Sequence, residues 1–176
     1  MRTVVVFGVF DLLHPGHLYF LREARKHGDH LTVVVTRDTR VRAEKNHTPV
    51  FTERERLEMV AALKGVDKAV LGDKLCPHTF GRHAKGQKHF HAKTLFSSRM
   101  NKREGTDTCA ACEVAHRCGG LEWRVLKRLH PDVVCVGYDQ KMEWIKKSGI
   151  KKTPKVVRIK GLRTEKYRSR NLLPLS

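Results

Sequence analysis

Two histidines three residues apart, His14 and His17, are the residues of this 176-residue chain best placed to do chemistry. They stand in the run Gly8-Val9-Phe10-Asp11-Leu12-Leu13-His14-Pro15-Gly16-His17, between a β-branched apolar stretch and a helical pattern. A helix N-terminus presents free amides and the positive end of the helix dipole, so it attracts phosphate. Gly16 carries no side chain to keep a phosphate away. Imidazoles at 14 and 17 can both face that space, and with the helix amides they would form an anion clamp. A bare His-x-x-His pair is commonplace on protein surfaces. What gives this one meaning is its place at a strand-to-helix junction, after a Gly-x-Phe-Asp turn.

The elements that must position the clamp follow from the patterning. Thr3 to Val9 reads as a strand buried on both faces. His17 to Lys26 reads as a helix with Leu18, Leu21 and Ala24 on one side, and Gly28 suits the left-handed residue after its end. Leu31 to Val35 is a second buried strand. Thr52-Glu53-Arg54-Glu55 is a capping box that opens a helix through Leu63, stopped at Gly65. Lys68 to Leu71 is a third strand. Glu122 to Leu129 is a helix ended by Pro131, and Val133 to Val136 is a fourth strand. Met142 to Lys147 fits a short helix, and Lys155 to Ile159 a fifth strand. This alternation predicts an α/β fold with a mainly parallel five-stranded sheet, whose ligands sit beyond the carboxyl ends of the strands. Neither period holds between residues 75 and 121. The expectation is one domain over residues 1–176, with 76–120 an irregular insertion after the third strand.

The sequence resembles the cytidylyltransferase-like nucleotidyltransferases, whose signature is a strand, then G-x-F-D-x-x-H-x-G-H, then a helix. Every fixed position is matched, with Val9 where Thr is common. The likeness continues through Thr36-Arg37-Asp38 after the second strand, Lys45 in the loop before Pro49, and Arg56-Leu57-Glu58-Met59-Val60. It runs on through Val66-Asp67-Lys68-Ala69 and through Pro131-Asp132, before a strand that ends in Gly137-Tyr138-Asp139-Gln140. The resemblance implies a Rossmann-like nucleotidyltransferase fold. It implies a reaction joining a nucleoside triphosphate to a phosphomonoester with release of pyrophosphate, with Mg²⁺ bridging the phosphates. It further implies catalytic roles for His14, His17, Lys45 and Arg56. Nucleotide contacts are implied for Gly8, Val9, Phe10, Asp11, Gly16, Asp38, Gly137, Asp139, Tyr167, Arg168 and Ser169.

The residues alone leave other readings open. Lys45 is equally a solvated loop side chain, Arg56 a partner for Glu53, Asp38 a cap and Asp139 a turn residue. Asp11 fits action through a water or the orienting of a histidine. An acceptor phosphate, with a second pKa of about 6, is already ionised near neutrality and needs no general base. A cationic site without an evident base suits such an acceptor, because phosphoryl-type transfers depend on positioning and charge stabilisation.

Within the family, Gly137-Tyr138-Asp139-Gln140 and Glu165-Lys166-Tyr167-Arg168-Ser169 resemble the archaeal-type FAD synthases, which transfer AMP from ATP to FMN. Arg163-Thr164-Glu165 is also similar to the glycerol-3-phosphate cytidylyltransferases, which use CTP and a small polyol phosphate. Both groups hold the terminal phosphates with this segment; here Arg170 stands where a second hydroxyl residue is usual. The expectation is FAD and pyrophosphate from ATP and FMN, with CDP-glycerol formation the alternative. Homodimers are common among such relatives, and no residue pattern here selects that state.

The insertion holds four of the five Cys and five of the eleven His, with eight Lys or Arg against three Asp or Glu. Cys109, Cys112, His116 and Cys118 offer tetrahedral zinc ligands, with Cys76 and His78 as alternates. A metal-free loop of ordinary thiols and imidazoles is the other reading. Over the whole chain, 36 Lys and Arg against 18 Asp and Glu leave +18, which favours polyanionic partners. A basic, zinc-containing nucleic-acid-binding protein is therefore the alternative of another class. Against it stand an aromatic content of 7% and the lack of a stacking platform. No apolar run approaches the roughly 18 residues that span a membrane. Met1-Arg2-Thr3-Val4 enters a strand with no cleavage pattern, so a cytoplasmic location without a membrane partner is expected.

Overall fold

The computed structural model describes residues 1–45, 47–73, 122–140 and 153–167. In chain order the elements are β1 (Thr3–Gly8), α1 (Pro15–Arg25), β2 (His30–Val35), α2 (Asp38–Lys45), α3 (Glu53–Ala61), β3 (Lys68–Leu71), α4 (Glu122–Leu129), β4 (Val133–Val136) and β5 (Lys155–Arg158). The strands form one sheet in the order β3-β2-β1-β4-β5, and every neighbouring pair is parallel. This is the Rossmann-like α/β arrangement expected from the alternation. The order reverses between β1 and β4, which makes the carboxyl ends of those two strands the natural ligand crevice.

The pleat explains why the strands are apolar throughout. Val4 and Val6 face a core with Leu21, Ala24 and Val60, from α1 and α3. Val5 and Phe7 face the opposite core with Val125 and Leu126 from α4. Each fully buried Val contributes about 1.5–3 kcal/mol, and period-two alternation is erased because both faces are covered.

The amino ends of the strands are joined by one repeated device. Asp29 donates its amide to the Arg2 carbonyl at 2.8 Å and accepts the Arg2 amide on its carboxylate at 2.7 Å. Asp67 does the same with Leu31, and Asp132 with Thr3. Each aspartate precedes a strand and clamps the start of the neighbouring chain, which fixes the register.

Several expectations shift. α1 begins at Pro15, because proline suits the first helical position. Gly28 does not take the left-handed conformation, which among the described glycines is adopted by Gly65 at φ +94°. A Cβ at Gly28 would lie 2.6 Å from the Arg2 carbonyl oxygen, so close approach requires the glycine there. Lys45, expected in a loop, is the last residue of α2. That helix escaped the periodicity because Asp38-Thr39-Arg40-Val41-Arg42-Ala43-Glu44-Lys45 has too few apolar residues to mark a face. The stretch 76–120 and the short helix expected at 142–147 lie outside the described residues. No helix of the described residues is long and apolar enough to cross a membrane.

Candidate active site

The site is built on the junction between β1 and α1. His14 is the N-cap of α1, in extended conformation, and its side chain caps nothing. His17 is the third residue of the helix, so the two side chains share one face of the first turn. Their rings stack with centroids 3.8 Å apart and planes 22° apart. The Nδ1 atoms of both are buried without a hydrogen-bond partner. Pro15 has no amide, and the His17 amide donates to the His14 carbonyl at 2.8 Å. The clamp therefore depends more on the imidazoles, together with the Gly16 amide, than the sequence suggested.

Burial pushes His14 below its ordinary 6.5. Burial, then the charge of His14, pushes His17 down to about 3, with the Lys45 charge adding to the effect and the Leu12 backbone opposing it. Both rings are neutral at pH 7, and Lys45 acts on the same space. Because both folded values lie below 6.5, the unfolded chain takes up these protons first as the solution is acidified. Stability is thus greatest above about pH 6.5 and falls as pH drops toward 3. We expect the melting temperature to decline from pH 7 to pH 5, and His17→Gln to flatten that decline. An equally steep decline in the variant would reject the assignment to His17.

The turn before the histidines is tightly determined. Phe10 takes a left-handed φ of 51° and is buried, with its ring 5.4 Å from His17. A side chain at Gly8 would lie 2.7 Å from the Phe10 ring, and the Gly8 carbonyl accepts from the Thr36 amide and hydroxyl. Asp11 neither orients a histidine nor faces open space. Its two oxygens accept the amides of Val50 at 2.9 Å and Phe51 at 3.0 Å. It thereby ties the return from α2 to the histidine-bearing turn.

Arg56 differs most from its expected place. It is fully buried. Its guanidinium donates to the carbonyls of Val9, Phe51 at 3.0 Å and Thr36 at 2.9 Å, and to Asp38 Oδ1 at 2.5 Å. It pairs with Asp38 rather than Glu53, and it touches three loops rather than an open crevice. Asp38 is engaged on both oxygens, since Oδ2 accepts the Glu53 amide at 3.1 Å. The nucleotide contact implied for Asp38 gives way here to its other reading, a capping role. Burial of Arg56 was not foreseeable from its helix, because its partners are 5 to 47 residues away.

On the other side of the crevice, the Gly137 amide donates to Gln140 Oε1 at 2.9 Å, and Gln140 Nε2 donates to the Phe7 carbonyl at 2.9 Å. Gln140 thus bridges the parting ends of β1 and β4, a role the sequence did not single out. Asp139 is exposed. Arg158 donates to the carbonyls of Gly137 and Tyr138. Tyr167 closes over the helix start: its ring lies 6.3 Å from His14 at 14°, and its Cβ is 3.1 Å from where a Gly16 Cβ would stand. Gly16 is therefore crowded by both His14 and Tyr167. Arg168, Ser169 and the cysteine and histidine set of Cys76, His78, Cys109, Cys112, His116 and Cys118 lie outside the described residues. A separate cavity on the α4 side, about 30 Å³ and lined in part by Arg37, Arg40 and Asp73, has room for water and not for a nucleotide.

The structure thus brings His14, His17, Phe10, Gly16 and Tyr167 together, with Lys45 acting electrostatically on His17. It places Asp11, Asp38 and Arg56 behind them as a support. The curated FAD synthase of Methanosphaerula palustris is 55% identical over 73 residues, 42% of this chain and 46% of that protein. The FAD synthase of Aciduliprofundum boonei is 58% identical over 74 residues, 42% of this chain and 49% of that protein. The matched stretch spans about half the length of these relatives. The crystal structure of a lipopolysaccharide core biosynthesis protein from Thermoplasma volcanium superposes with a TM-score of 0.60 at 30% identity, covering 92% of this chain and 98% of that one. Pantothenate synthetase from Thermus thermophilus, 18% identical with a TM-score of 0.53, shares the fold. The cytidylyltransferase-like family model matches residues 5–173, and the chain belongs to that family.

Proposed function

We propose that this protein transfers AMP from ATP to FMN, giving FAD and pyrophosphate. The observation that carries the reading is the stacked, neutral His14–His17 pair at the start of α1, with both Nδ1 atoms buried and unpartnered. Unsatisfied buried imidazoles at a helix N-terminus are a costly arrangement unless an anion is their ligand. An oxygen of the FMN phosphate attacks the α-phosphorus of ATP. The new P–O–P bond forms as the bond from that phosphorus to the oxygen bridging the β-phosphate breaks, and the electron pair leaves with pyrophosphate. The Gly16 amide and the His14 N–H donate hydrogen bonds to phosphate oxygens as charge builds there. His17, whose other N–H is held by the Leu12 backbone, donates from Nδ1 once the negative triphosphate raises its pKa and it takes up a proton. Lys45 adds a positive charge.

No acidic cage is on offer for a metal: among the described residues no three His, Cys, Asp or Glu side chains converge. Mg²⁺, commonly held by substrate phosphates and few protein ligands, would come in with the triphosphate. Its chemistry would be to neutralise phosphate charge. ATP and FMN are favoured by the FAD synthase names of the similar proteins. The residues Arg163-Thr164-Glu165 keep CTP and glycerol 3-phosphate as the second reading. A cytoplasmic setting is proposed with the reaction.

The test is a matrix of ATP and CTP against FMN and glycerol 3-phosphate, scored by pyrophosphate release. Product from ATP with FMN alone is expected. Product from CTP with glycerol 3-phosphate would replace the substrates and keep the reaction. Salt-dependent RNA or DNA binding without pyrophosphate release would move the protein to the nucleic-acid-binding class.

A further inference from the structure

Helix α2 is not held by its own packing. Among its described side chains, Val41 is the buried one, and a helix of eight residues is marginal in isolation. Polar contacts with residues outside the helix hold it instead. At its start, Glu53 Oε2 accepts the Asp38 amide at 3.0 Å, and Glu53 Oε1 pairs with Arg37 at 2.6 Å. Arg37 in turn donates to the Gly72 carbonyl beyond β3 at 2.7 Å. Asp38 reciprocates by accepting the Glu53 amide. Glu53 thus caps the first turn of α2 from outside and places a negative charge at its positive end. Beyond the far end of α2, the returning chain is pinned by Asp11 through the amides of Val50 and Phe51.

Lys45 is the last residue of this lever. From Asp38 to Lys45 the helix is about 10 Å long, so a swing of about 15° at the Glu53 end moves the Lys45 end by about 3 Å. That displacement is the length of a hydrogen bond, enough to separate an ammonium from a phosphate oxygen.

We propose that Glu53 is a positioning residue for Lys45: by fixing the start of α2 it sets where the Lys45 ammonium meets the triphosphate. The proposal rests on the nucleotidyl-transfer reading. Glu53 itself touches no reacting atom. Its effect on the reaction passes through α2, and Lys45 is where that effect is delivered. The influence of the Lys45 charge on His17 supports the direction in which the lever points.

The test is a double-mutant cycle in the full chain, reading both kcat/KM with Mg²⁺, ATP and FMN and the Kd of a non-hydrolysable ATP analogue. Glu53→Ala is expected to lower kcat/KM at least tenfold when Lys45 is present and less than about twofold in a Lys45→Met background. Glu53→Gln, whose amide oxygen can still accept the Asp38 amide, should lie between wild type and Glu53→Ala. It also serves as the variant for the cycle if Glu53→Ala does not fold. Equal losses in the two backgrounds would show a general structural role and overturn the proposal, with the functional reading left standing. A wild-type protein that neither binds the analogue nor turns over would overturn the functional reading, and the positioning role with it.

Discussion

Replacing His17 by alanine is expected to lower turnover about 100-fold while leaving the protein folded. The magnitude is that of losing one donor aimed at charge that develops in a transition state. His17 sits on the histidine-bearing turn with its Nδ1 buried and unpartnered, and its ring stacks on His14. In the free protein it contributes no satisfied hydrogen bond through that atom. Removing it relieves that uncompensated buried atom and gives up the ring's bond to the Leu12 backbone, a modest loss of about 1 kcal/mol that leaves the fold intact. His14→Ala should behave alike, since the N-cap side chain accepts no hydrogen bond from the helix. Steady-state kinetics with circular dichroism as a control for folding would check this. A turnover within threefold of wild type in both variants would remove the histidines from the mechanism.

The second large effect is on stability. Arg56→Ala should destabilise the protein by about 3–5 kcal/mol, the cost of removing one partner from a buried ion pair. The loss is more than electrostatic. The carbonyls of Val9, Thr36 and Phe51 lose their donor together, and Asp38 keeps a negative charge with its cation gone. For a chain of this size each kcal/mol shifts the melting temperature by about 2–4 °C, so a fall of roughly 10 °C is expected. Arg56→Lys should recover little, because one ammonium cannot serve a planar fork of partners. Thermal and urea unfolding would measure it, and a melting temperature within 2 °C of wild type for Arg56→Ala would disprove the support role.

The contrast between these two residues shows what the sequence made legible. The histidine pair was readable because its geometry is local: residues three apart on the first turn of a helix lie side by side. The capping box at Thr52 and Glu55 was readable for the same reason, and the structure has both of its hydrogen bonds. The strands were readable because two covered faces demand an unbroken β-branched run. The catalytic role of Arg56 comes from the family resemblance, and its burial is not legible because its partners lie on three loops brought together only by the sheet, which no local pattern records. Asp11 was misread in the same way: its ligands are amides 39 and 40 residues away. α2 was missed because a helix that is tethered at its ends needs no apolar face.

The aspartates at the amino ends of β2, β3 and β4 have a consequence for how this molecule can change. Asp29, Asp67 and Asp132 lock the sheet at the rim opposite the histidines. Robustness and chemistry are therefore lodged at opposite poles of the same strands. Substitutions can accumulate or be engineered at one pole, to harden the protein against heat or to relax it, without moving the histidine pair at the other.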